Sequence, residues 1–213
     1  MCWSAQADLV IGAAVSGVGV VCLSRVRHRR QLPLAALPLV LGVHQLLEAV
    51  VWFGAEGRVG SGAAGPARIG WALIAMPVLA VLVPVGAWCA AGRPGRLLAF
   101  VVLGLAAAVP LTAAVLAGPV TAEVHGHTLE YAVGVPFAAP LLVAYLTATL
   151  GPLLLNPVPE LRRLGWWVAA AAVLCAVLWR TAFVSTWCAL AALASVLVLR
   201  WLRRPTAGGP VSR

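Results

Sequence analysis

At 213 residues, with 62% hydrophobic and 10% charged residues and a mean hydropathy of +1.00, the chain is too poor in charge for a soluble surface, since soluble domains carry about 25% charged residues. The formal net charge of +9 does not mark a nucleic-acid partner, because the basic residues other than histidine are all arginines flanking apolar runs, the pattern of a topology signal and of contact with anionic lipid. The composition therefore predicts an all-α polytopic transmembrane bundle of seven helices, each span needing about 20 apolar residues.

The first span is predicted from about Ala7 to Ser24 and stops at Arg25-Val26-Arg27-His28-Arg29-Arg30. Residues 1–10 carry no basic n-region and no clear cleavage site follows, so this run is expected to be retained rather than removed as a signal peptide. Ser4 is a plausible N-cap, Asp8 suits the start of a helix, and Trp3 suits the interface. Gly12 and Ser16, four apart, predict close packing of this span. The second span runs from about Leu32 to Gly54, and a Gly-rich loop follows over Ala55–Ala67. The third runs from about Arg68 to Ala91 and the fourth from Leu97 to Gly118. A polar loop, Pro119–Val133, separates the fourth from the fifth, Gly134–Leu155. The sixth runs from about Leu164 to Ala182 and the seventh from Ser185 to Leu202. Residues 1–202 form one transmembrane domain in this reading, and 203–213 a disordered cytoplasmic tail. Internal prolines at Pro38, Pro77, Pro84, Pro110, Pro140 and Pro152 kink helices or simply reflect proline's frequency in spans.

Charge sets the expected orientation. With the N-terminus outside, the inner segments hold 12 arginines and the outer ones only Arg58, Arg68 and Arg180, which agrees with the positive-inside rule in every inner segment. The bias to Ala, Gly, Pro and Arg without Lys suggests a GC-rich bacterial genome and hence an inner membrane. The five cysteines, Cys2, Cys22, Cys89, Cys175 and Cys188, show no metal-site spacing. Cys2 and Cys188 fall near the outer face, where a disulfide can persist.

The most informative stretch is Gly42-Val43-His44-Gln45-Leu46-Leu47-Glu48-Ala49-Val50-Val51-Trp52. His44, Glu48 and Trp52 follow i, i+4, i+8 spacing and share one helix face, with Gln45 beside them. A carboxyl group in hydrocarbon costs at least about 2.5 kcal/mol, so Glu48 is expected to face the bundle as half of an acid–base pair with His44, or as interhelical glue. In the outer loop, Glu123-Val124-His125-Gly126-His127-Thr128-Leu129-Glu130-Tyr131 reads as an ordinary polar loop or as a His-x-His metal arm. His44, Glu48, His125 and His127 would converge only if the loop folds into the bundle. Arg180 is placed to pair with Glu48 or Asp8, or to reach lipid headgroups, and Trp187 lies near the same outer end. No Walker A, GxSxG, HExxH or Rossmann fingerprint is present.

The opening Met1-Cys2-Trp3-Ser4-Ala5, the Gln45-x-x-Glu48-x-x-x-Trp52 stretch and the Trp187-Cys188 pair together resemble a family of uncharacterised bacterial seven-helix membrane proteins, over most of the chain. That resemblance implies the fold but no activity. Family members often have Gln where this chain has His44 and Gly where it has Ala49, which favours Glu48 and Trp52 as the functional pair. Glu48 beside Trp52 also gives an architectural likeness to small integral-membrane terpene cyclases, as an analogy.

The resulting expectation is a membrane-embedded site for a hydrophobic small molecule, an isoprenoid or a lipid. Glu48 and His44 are its catalytic candidates; Gln45, Trp52, His125, His127, Glu130, Arg180 and Trp187 are its binding candidates. Two alternatives stand beside it: a metal-binding or transport protein using His44, Glu48, His125 and His127, and a structural membrane subunit. Membrane lipids are expected partners and nucleic acid is not. Cofactor and oligomeric state are left open.

Overall fold

The computed structural model describes residues 4–125, 128–177 and 183–203. Among them run seven helical rods and one hairpin: α1 (Ala5–Ser24), α2 (Leu32–Ala55), α3 (Ser61–Ala90), α4 (Gly95–Ala117), β1 (Thr121–His125), β2 (Thr128–Ala132), α5 (Ala138–Leu154), α6 (Pro159–Val177) and α7 (Phe183–Arg203). Four of the described helices are long and apolar enough to cross a membrane: α1, α2 with the turn that leads into it, α3 and α4. The apolar α5 is shorter.

Local chemistry explains where these rods start. Ser4 caps α1, its Oγ accepting from the Ala7 N–H at 3.3 Å. A 3-10 turn, Arg29–Gln31, leads into α2, and the Gln31 side-chain carbonyl accepts from the backbone N–H groups of Arg27 and His28. α3 begins seven residues before the expected Arg68. The Gly-rich segment carries Ala63, Ala64 and Ala67, strong helix formers, and Ala64 and Ala67 are buried in packing. α6 also begins early, at Pro159 rather than Leu164. Proline is preorganised for the first helical position, and Glu160 suits the first turn. α5 starts later than expected, after Pro136 and after Phe137, which sits at φ 52. The predicted polar loop over Pro119–Val133 is an antiparallel hairpin with Thr121 opposite Ala132 and His125 opposite Thr128. The disordered-tail expectation meets the end of α7 at Arg203, and the rest of it lies outside the described residues. So do Cys2 and the side chain of Cys188, whose pairing was expected. Cys22 and Cys89 are buried free thiols.

α2 is the central rod, packed against α1, α3 and α7. It runs antiparallel to α1 with backbones nearly touching. A Cβ on Gly42 would collide with Ser16, and one on Gly19 with the Leu39 backbone, while one on Gly12 would press on Leu46 at 3.0 Å. The small-residue contact expected of Gly12 and Ser16 is thus formed, by two helices that meet where side chains are missing. α3 holds Pro77 in a π-helical segment, Ile74–Val78. There the Tyr145 hydroxyl of α5 donates to the Ala75 carbonyl at 2.9 Å.

The rods bury two apolar clusters at opposite ends. One contains Cys22, Leu34, Leu79, Leu153, Leu161 and Leu202, near the arginine-bearing turns. The other contains Ala5, Val51, Trp52, Ala67 and Leu129, where α1 begins, α2 ends, α3 begins and the hairpin folds over. At the first end the buried Asn156 is a completed polar clamp. Its Nδ2 donates to the carbonyls of Ala87 (3.2 Å) and Pro152 (3.1 Å), and its Oδ1 accepts from the Val158 N–H (3.0 Å).

Candidate functional site

The polar stripe of α2 is buried along its length: His44 is 4% exposed, Gln45 1%, Glu48 1% and Trp52 5%. Its spacing puts all four toward neighbouring rods, and the glycine contacts fix which part of α1 they meet. The pairing of Gly12 with Leu46 and Ser16 with Gly42, carried one turn toward the start of α1, sets Asp8 beside the turn between Glu48 and Trp52. Asp8 is 0% exposed. Its carboxyl group lies within electrostatic range of Glu48 and is approached by the indole N–H of Trp52, although that N–H does not reach hydrogen-bond geometry. Carboxyl groups from two helices are therefore buried at the same end, within electrostatic range of each other.

α3 supplies the next wall. Trp71 donates its indole N–H to Glu48 Oε2 at 3.3 Å. Its ring lies 4.9 Å from that of His44, tilted by 33°. The hairpin supplies the last wall. Tyr131 stacks on Trp71 at 3.6 Å with the rings 2° from parallel. Burial, then the charges of Glu48 and Asp8, push the Tyr131 phenol well above its ordinary range, with Arg68 opposing them. Leu129, two residues earlier on the same strand face, is buried in the apolar cluster beneath.

Hydrogen bonding here is incomplete. Among the described residues, buried polar atoms without a hydrogen-bond partner include both carboxyl oxygens of Asp8, His44 Nε2, Trp52 Nε1, Arg68 Nε and the Tyr131 hydroxyl. Most buried polar groups in proteins are paired, as Asn156 is, so a run of orphans around one carboxyl pair sets this end apart.

The other sequence candidates fall elsewhere. His125 and Glu130 lie on the exposed side of the hairpin and pair with one another, Nδ1 to Oε2 at 3.5 Å. Among the described residues no three His, Cys, Asp or Glu side chains are grouped to hold a metal ion. His127, Arg180 and the Trp187 side chain lie outside the described residues. The structure adds four residues to the sequence candidates: Asp8, Arg68, Trp71 and Tyr131. Asp8 was legible as the single acid in an apolar helix, and Tyr131 by its alternation with Leu129. Trp71 carried no signal of its own.

Comparison with known proteins places the chain in a family but assigns it no role. The family is described as "Family of unknown function (DUF6629)"; its profile matches residues 1–213, and the chain belongs to it. No curated protein and no solved structure matches.

Proposed function

We propose that this member of a family of unknown function is a seven-span protein of a bacterial inner membrane, N-terminus outside, that binds and processes a hydrophobic small molecule through an acid–base pair, Asp8 and Glu48. The observation that carries the reading is the pair itself: two carboxyl groups from α1 and α2, both buried, within electrostatic range and walled by aromatic rings. Two carboxyl groups brought to one water-poor site can act in turn as proton donor and proton acceptor. That supplies a donor and an acceptor at one place, the requirement for moving a proton on and off a bound molecule. Trp71 orients Glu48, His44 closes the inner side, and Trp52 adds an aromatic ring, a group that stabilises developing positive charge.

The arginine distribution supports the orientation, since it puts the pair in the outer half of the bundle. Membrane-impermeant maleimide applied to intact cells is expected to label Ser61→Cys and not Gly95→Cys. The reverse pattern, or labelling of both, would remove the topology.

A hydrophobic carbodiimide tests the acid–base reading without knowledge of the substrate, because it adds to protonated carboxyl groups that water-soluble reagents do not reach. Peptide mapping near neutral pH is expected to find the adduct on Asp8 or Glu48, and the double change Asp8→Asn, Glu48→Gln is expected to eliminate it. An unlabelled pair in folded protein would mean two ionised groups acting as structural glue.

A further inference from the structure

The hairpin side chain that closes the site carries the same chemistry as a ligand. Tyr131 brings a flat ring and a hydroxyl group on a tether, lays the ring on Trp71 at 3.6 Å and 2°, and puts the hydroxyl within electrostatic range of both Asp8 and Glu48. Yet that hydroxyl makes no hydrogen bond among the described residues. A buried hydroxyl left unpaired is a penalty rather than a fastening. The rest of the hairpin is held lightly. Its strands are five residues each, Glu123, Val124, His125 and Glu130 are exposed, and a two-stranded hairpin has little stability alone. Leu129 and Tyr131, with the small Ala122 beside them, are its anchors in the apolar cluster at this end.

We propose that Tyr131 is a displaceable plug standing in for a phenolic headgroup, and that the ligand of this site is an amphiphile with a flat hydroxyl-bearing ring and an apolar tail. The orphaned atoms select this class. Trp52 Nε1 and Arg68 Nε are donors, while Asp8 offers acceptors. An ammonium head would satisfy Asp8 and leave the donors bare; an anionic head would meet the two acids. A neutral hydroxyl both donates and accepts, and an aromatic carrier takes over the stack on Trp71. The tail would leave between the outer ends of the rods, into lipid.

The inference rests on the acid–base reading, and one assay separates the two. The probe is 4-dodecylphenol, scored by protection of Asp8 and Glu48 from the hydrophobic carbodiimide, with dodecylbenzene and dodecyltrimethylammonium as matched controls. The phenol is expected to protect and the controls not to. Tyr131→Ala is expected to lower the protecting concentration about tenfold, because a binding-competent state no longer has to be populated against the plug. Tyr131→Phe keeps the ring in place and is expected to need at least as much phenol as the parent. Should Tyr131→Ala not fold, Leu129→Ala, which removes the second anchor and leaves the aromatic slot intact, is expected to shift protection in the same direction. Labelling that proceeds unprotected, or that dodecylbenzene blocks equally, overturns this proposal while leaving the acid–base pair standing. Absence of labelling removes the pair first.

Discussion

Asp8→Leu is expected to make the protein more stable and to end its chemistry. The Asp8 carboxyl group is fully buried, lies within electrostatic range of a second acid, and has neither oxygen hydrogen-bonded among the described residues. A buried polar group without a hydrogen bond costs folding free energy, and an apolar side chain of similar bulk removes that cost. Unfolding in detergent, followed by the accessibility of buried Cys22 and Cys89, should shift to higher temperature. Glu48→Leu should shift it down, because the Trp71 N–H would lose its acceptor. Opposite signs at two neighbouring acids distinguish a group kept for function from one that also holds the fold. Equal losses at both positions would make Asp8 a structural residue.

Asn156→Leu has the largest expected cost to folding. Leucine fills the space but leaves the Ala87 and Pro152 carbonyls and the Val158 N–H, all now served by one side chain, without that partner in a buried setting. The Ala87 carbonyl still accepts from the Ala91 N–H at 3.1 Å, so two groups lose their partner, and at about 1–3 kcal/mol for each buried group left unsatisfied the loss is about 2 kcal/mol or more. The same unfolding assay reads it, and Asn156→Asp should fall between the parent and leucine, keeping the acceptor and losing the donor. A leucine variant as stable as the parent would mean that the clamp contributes nothing net.

Much of the helical plan was legible because it depends on apolar runs about 20 residues long, bounded by arginines. The errors came where weaker local signals decide. Small residues around Pro66 looked like a loop, yet helix propensity and the packing of Ala64 and Ala67 extend α3 back to Ser61. The hairpin was hidden because Glu123, His125 and Glu130 drew the reading toward polarity, whereas Leu129 and Tyr131 alternate toward the bundle with the two-residue period of a strand. The site was half legible. The i, i+4, i+8 stripe of His44, Glu48 and Trp52 belongs to one helix, and a single helix shows its own periodicity. Asp8 and Trp71 join it only through the register of α1 on α2 and the placement of α3, which are tertiary facts. An acid favours a helix start, a role that explains Asp8 without implying its burial.

The π-helical segment at Ile74–Val78 makes α3 a rod with two phases. A π turn carries about one residue more than an α turn, and one residue is about 100° of rotation on a regular helix. The half holding Ala67 and Trp71 is thereby turned relative to the half holding Ala80 and Ala87, and each presents its own buried face to different neighbours. Winding Ile74–Val78 as a regular α-helix with every residue kept would swing Trp71 off Glu48. The wide turn thus absorbs one residue of length and fixes where the Trp71 indole points.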